Sequence, residues 1–220
     1  MASNQNSKIS LLLIIILGTA LFSWTPWQAE NISLKHFQDD ELAYKYCPVF
    51  VQAESIKPDI NHIYYRMAED DKRIFLACHP VWPYEKDESK KGLQAIFNKL
   101  FYTGGLKLQR KIFGPEDIEA IEIVIDKESK KILRLRYESA SHIKKEISEE
   151  KALEIEKPVL EVITWNHMFE LITLEQAQGK RFFDLRPEYF TEELWNYYQM
   201  TKKQNNILSQ DRAHFEWEHD

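Results

Sequence analysis

The sequence predicts a mostly-β fold: an antiparallel β-sandwich with two or more peripheral α-helices, behind an N-terminal hydrophobic helix. Three observations predict it. Apolar and polar residues alternate in short segments such as "IEIVID" and "ILRLRYES", and a period of two turns one face of a strand into a core. Polar turns such as "AEDDK" and "KESKK" join these segments in pairs, as in antiparallel hairpins. Two longer segments carry helical spacing and suit helices packed outside the sheets. A partial barrel satisfies the same pattern.

The chain has 220 residues, 44% of them hydrophobic, which fits one domain with a real core. Its net charge of -6, with no Lys/Arg cluster free of nearby acid, argues against a nucleic-acid partner. Residues 9–24, "ISLLLIIILGTALFSW", are apolar and uncharged. That length lies between a signal-peptide core and a full span of about 20 residues. Residues 1–29 are therefore expected to be a signal peptide or a membrane anchor, and 30–38 a linker. Residues 39–205 form the expected domain with its C-terminal helix, and 206–220 a flexible tail. The domain is expected outside the cytoplasm, whether secreted, periplasmic or membrane-anchored. An uncleaved N-terminal segment makes the membrane a partner.

In chain order, Asp39 or Asp40 caps a short helix, "DELAYKY", that ends before Pro48. The strands "CPVFVQ", "HIYYRM" and "RIFLACHPVW" follow. "DESKKGLQAIFNKLF" (87–101) reads as an amphipathic helix closed by "TGG", and "LKLQRKIF" as a strand. The hairpin "IEIVID"–"KESKK"–"ILRLRYES" buries Ile121, Ile123 and Ile125 opposite Leu133, Leu135 and Tyr137, with the other face wet. "SEEKALEIE" is a charged linker or short helix, and "PVLEVITWNHMFEL" the next strand. "RPEYFTEELWNYYQMTKKQ" is an amphipathic helix with Pro187 and Glu188 in its first turn. Phe190, Leu194, Tyr197 and Tyr198 make its packed face.

Familiar catalytic signatures are absent. With 6 Gly in all there is no phosphate-cradling loop, and no GxSxG, HExxH or CxxC occurs. The two cysteines, Cys47 and Cys78, sit in strand-like segments. They suit a disulfide if those strands are neighbours, or two buried thiols. The acidic start of "GPEDIEAIEIVID" is the unusual feature. If its strand extends back two residues, Asp117 and Glu119 share the inward parity of Ile121 and Ile123. Inward carboxylates want a cation, an arginine or a raised pKa. A solvated "GPED" turn is the plainer reading of the same residues. His142 ends a strand and His167 shares parity with Ile163 and Trp165; each suits a structural role or a ligand role. His62, His79 and the tail histidines His214 and His219 carry the same two readings. Trp82 and Trp165 could also be stacking platforms for a sugar.

The order of several segments resembles the vacuolar protein sorting-associated protein 62 family. The matching residues are Leu42, Ala43, Tyr46, Pro48, Val49, Glu54 and Pro58, followed by Asp117 and Glu119 with Ile118 replacing a tryptophan. Two later strands match with their histidines, His142 and His167. More distantly, the pattern is similar to the necrosis-inducing secreted β-sandwich proteins, whose histidine, aspartate and glutamate hold a divalent cation and which bind sphingolipid head groups. Here Gly114 and Glu116 stand where that pattern has histidines. The resemblance implies Asp117, Glu119, His142 and His167 as ligands of a degenerate divalent-cation site, for Ca or Mg ahead of Zn. It also implies a lipid head group or a glycan as partner. The expected function is a non-enzymatic binding or surface protein. The alternative is a metal-dependent membrane-active protein or hydrolase.

Overall fold

The computed structural model describes residues 34–85, 114–202 and 211–219. The N-terminal apolar run, the helix expected over 87–101 and the strand expected over 106–113 lie outside the described residues.

Two sheets carry the fold. The larger has eight strands, ordered β1 (Lys35–Phe37), β3 (His62–Glu69), β4 (Arg73–Trp82), β6 (Ile121–Asp126), β7 (Ile132–Ser139) and β8 (Ile143–Ile147). Off this path, β5 (Asp117–Ile118) pairs with β4 and β12 (Glu188–Tyr189) with β3. The smaller sheet runs β10 (Phe169–Leu171), β9 (Val159–Val162), β2 (Val49–Gln52), β11 (Arg181–Phe183). Most pairings are antiparallel; β2 with β9 and β12 with β3 are parallel. Among the described residues three short α-helices accompany the sheets: α1 (Asp40–Tyr46), α2 (Glu149–Ala152) and α3 (Glu192–Tyr197).

The main core lies between the sheets. Ile63, Tyr65, Met67, Leu76 and Trp82 of the large sheet meet Phe50, Leu160, Val162 and Phe169 of the small one. Alternation dictates this, because the odd residues of β3 and the even residues of β4 face one way. Gln52 is the polar member of this core and is fully paired. It accepts from Trp82 Nε1 and Ile60 N, each at 3.2 Å, and donates to Pro58 O at 3.1 Å. Asp39 caps α1 by accepting from Leu42 N at 2.9 Å.

Cys47 and Cys78 are joined by a disulfide, with Cα atoms 6.1 Å apart. They do not sit on neighbouring strands. Cys47 follows α1 ahead of β2, and Cys78 lies in β4, so the bond ties the two sheets across the core. A sequence separation of 31 corresponds to about 4 kcal/mol of loop-closure stabilisation.

Several expectations are corrected. The expected linker ends too late, because Lys35–Phe37 pairs with the end of β3. The wet face of the hairpin is covered. On that side of the large sheet Tyr64, Phe190, Trp195 and Tyr198 form one cluster, and Phe75, Val124, Phe215 and Trp217 another. Residues 211–219 of the expected flexible tail supply part of this cover, with Ala213, His214, Phe215, Trp217 and Glu218 buried. The last helix is shorter than its amphipathic pattern. Glu188–Tyr189 joins the sheet and Thr191 caps α3, accepting from Leu194 N at 3.3 Å. Of its expected packed face, Phe190 and Tyr198 are buried but Tyr197 is 55% exposed. A register shift between Val124 and Ile125 puts Ile132, and not Leu133, into the core.

Candidate functional site

The site begins with register. β5 and β6 pair with β4 in one continuous frame, Trp82 opposite Asp117, Val81 opposite Ile118 and Cys78 opposite Ile121. Directly opposed residues share a face, so Asp117 points with Trp82 toward the inter-sheet side. Glu119 and Ile121 keep that parity. The inward reading of the acids therefore holds, and Glu119 is only 7% exposed. Gly114 (φ +80°) and Glu116 (φ +60°) take left-handed backbone where the chain turns into β5.

His167 arrives from the other sheet. The segment "PVLEVITWNHMFEL" is not one strand; it folds into β9, a turn, and β10. His167 sits in that turn at φ +56°, with Thr164 accepting from His167 N at 3.1 Å and from Met168 N at 2.9 Å. Its ring is fully buried and stacks on Trp82, centroids 4.3 Å apart and planes 4° from parallel. Its Nδ1 lies 2.5 Å from Asp117 Oδ2. Among the described residues its Nε2 has no hydrogen-bond partner.

Three groups that sequence reasoning missed complete the cluster. Glu85 hydrogen-bonds with Asp117, and burial followed by the Asp117 charge pushes its carboxyl well above the usual range. Burial does the same to Glu119, helped by the charges of Asp117, Glu138 and Glu85. Arg212 opposes both shifts, being within electrostatic reach of Glu85, Asp117 and Glu119. Glu138 pairs with His142 at 3.2 Å from Nδ1 and thereby raises the histidine's pKa. His142 is at φ +57° in the short 3₁₀ turn after β7, half exposed, with Nε2 3.4 Å from Asn166 Nδ2. Glu138 was legible as the partner four residues before His142. Arg212 left no signal near Asp117, because it lies 97 positions along the chain from Pro115, whose carbonyl it contacts.

The four expected ligands thus fall at one end of the sandwich but not on one point. Asp117 holds His167 and Glu138 holds His142. Among the described residues no three Asp, Glu, His or Cys side chains converge as a set that could hold a metal ion. Trp82 is not a sugar platform either, since it is fully buried beneath His167 and against Phe50 and Phe169. Trp165 is only partly buried in the same turn as His167.

A second polar cluster lies behind the large sheet. His79 Nε2 is 2.5 Å from Glu218 Oε1, both side chains fully buried. Glu122 accepts from Trp217 Nε1 at 2.9 Å and faces Arg134 and Arg136, each at 3.3 Å. Arg66 donates to Glu218 O at 2.8 Å and lies 3.7 Å over Trp195. His62 stacks on Tyr64 with centroids 5.8 Å apart. Burial holds the His214 ring well below its ordinary pKa.

No family model matches the chain, so the motif-level resemblance to the protein 62 family finds no counterpart there. No curated protein matches it either. Solved structures do. One is NLPPya in complex with glucosamine, at 12% identity over 86% of this chain and 88% of that one, TM-score 0.46. A second is the Necrosis and Ethylene inducing Protein 2 from the causal agent of cocoa's Witches Broom disease, at 8% identity over 87% and 93%, TM-score 0.44. A third, described as a toxin fold for microbial attack and plant defense, has 12% identity over 84% and 86%, TM-score 0.43. These are neighbours of the necrosis-inducing type in overall β-rich outline.

Proposed function

We propose that this is a non-enzymatic binding protein that works outside the cytoplasm, and that its ligand presents a cationic group to the acidic rim around Asp117 and Glu119. One observation carries the reading. Glu85 hydrogen-bonds with Asp117, Glu119 lies within electrostatic reach of both, and burial with these neighbouring charges drives the Glu85 and Glu119 carboxyls toward protonation. A cluster with excess negative charge is relieved by an added cation, which binding then supplies. The disulfide supports an oxidising compartment. No helix among the described residues is long and apolar enough to cross a membrane.

The cationic group is a weakly held divalent ion or a ligand ammonium, as on an amino sugar or a lipid head group. The test is a thermal melt in EDTA, then with Ca²⁺, Mg²⁺ and Zn²⁺ and with glucosamine, each up to millimolar levels. A ligand bound by the native state alone raises the midpoint. A rise that disappears in Asp117→Asn/Glu119→Gln is expected. An unchanged midpoint with every additive sinks the reading.

A further inference from the structure

We propose that the open edge of β8 is a homodimer interface, where a second copy of this chain pairs antiparallel about a two-fold axis at Lys145. This stands independently of the rim. β8 ends the large sheet: β7 pairs with one of its edges, and among the described residues no strand pairs with the other. Its five residues are mostly exposed, and Ile143 is 60% exposed. Such an edge presents a row of backbone N–H and C=O groups that another strand completes.

The two faces of β8 are fixed by its register with β7. Ile147, Lys145 and Ile143 lie opposite Leu135, Tyr137 and Ser139, so they share the inter-sheet side with Leu135 and Tyr137 of the main core. Ile147 packs against that core, and Ile143 extends the same row into solvent. Glu146 and Lys144 take the other side, opposite Arg136 and Glu138.

The order of these residues identifies the occupant. The strand "IKKEI" is complementary to its own reverse. In an antiparallel pair centred on Lys145, each Ile143 meets the second copy's Ile147, and each Lys144 meets the second copy's Glu146. Opposite charges in direct cross-strand positions attract, and the exposed Ile143 is covered by an isoleucine continuous with the other core. An axis at Lys144 or at Glu146 instead sets that residue against itself and an isoleucine against Lys145. Lysines on an edge ordinarily keep a visiting strand away. Here acid answers both: Glu170 of the same chain holds Lys145 at 2.5 Å, and the second copy's Glu146 takes Lys144. Glu146 bonds Arg136 through Oε2 alone and is half exposed, so its carboxylate has room for a second cation. A pairing that uses the same patch on both copies closes at the dimer.

The experiment is oxidative cross-linking of the full chain. Cys47 and Cys78 are bonded to each other, so one introduced cysteine is the sole free thiol. A residue on the axis meets its own copy with Cβ atoms about 4.5–5.5 Å apart, within reach of a disulfide. Lys145→Cys at micromolar concentration should form a covalent dimer. Glu175→Cys, in the exposed turn between β10 and β11, should stay monomeric. Equal cross-linking of the two overturns the inference, because association through another segment selects no register. A monomeric Lys145→Cys overturns it as well. Sedimentation then tests the charges. Lys144→Glu sets carboxylate against carboxylate and should weaken the dimer at least about tenfold, and Lys144→Glu/Glu146→Lys should restore it. An undiminished dimer in Lys144→Glu, or no recovery in a folded double variant, overturns the inference. If the double variant does not fold, the cysteine comparison decides by itself.

Discussion

Behind the large sheet, Glu218 and Glu122 are each closed in by partners, whereas at the rim Glu85, Asp117 and Glu119 face one another. Glu218 has His79 at 2.5 Å, and Glu122 has Trp217, Arg134 and Arg136. At the rim Asp117 has His167 at 2.5 Å, and the Arg212 guanidinium within electrostatic reach of the three carboxylates gives its hydrogen bonds to backbone carbonyls. Both regions bury acid, so burial alone does not mark function. Partnering distinguishes them: a satisfied buried carboxylate specifies the docking of a segment, and a crowded one marks the candidate site.

The largest expected effect breaks the back face. Glu218→Ala leaves the His79 imidazole without its fully buried partner, and removing half of such a pair costs about 3–5 kcal/mol. Urea unfolding measures it. A loss below about 1 kcal/mol would show that residues 211–219 are not part of the cooperative fold.

The rim is expected to answer with the opposite sign. Glu119→Gln should stabilise the protein at pH 7 by on the order of 1–3 kcal/mol, the usual cost of a buried, poorly compensated polar group. The pH dependence has a defined direction. The folded state holds the Glu119 proton more tightly than the unfolded chain, so the penalty is absent below the ordinary value of 4.5 and grows as pH rises toward the raised one. The advantage of Glu119→Gln should therefore vanish near pH 4 in melts run across pH. A destabilising Glu119→Gln would place the rim with the back face and erase the contrast.

The smallest effect sharpens the boundary between the two regions. His142→Ala removes the pair with Glu138 from a half-exposed position, so the cost is under about 1 kcal/mol. The raised His142 pKa makes that contribution full below 6.5 and lost as pH rises through the folded-state value. The variant should differ from wild type at pH 5.5 and match it at pH 8. A difference larger at pH 8 would overturn the Glu138 pairing.

Local pattern was legible where one residue's surroundings decide its state. Alternation predicted β6 and β7, a polar turn between two strand-like segments predicted β3 and β4, Asp39 or Asp40 marked the start of α1, and the inward parity of Asp117 and Glu119 was one of two readings, conditional on the strand extending back. The same counting failed at His167, because a turn at positive φ interrupts the segment and resets parity. It failed again at Glu188–Tyr189, where a free edge of β3 outweighed helical propensity.

By itself, then, the sequence determined a β-rich chain and its hairpins, because steric alternation and turn chemistry act between near neighbours, and it left the acidic strand start open between an inward and a solvated reading. Only the tertiary structure decided what those acids meet. His167 crosses from the other sheet, and Arg212 reaches Pro115 from 97 positions away along the chain. No local rule links such residues. They come together because the sheets bury their apolar faces on each other and the C-terminal segment covers the face that remains.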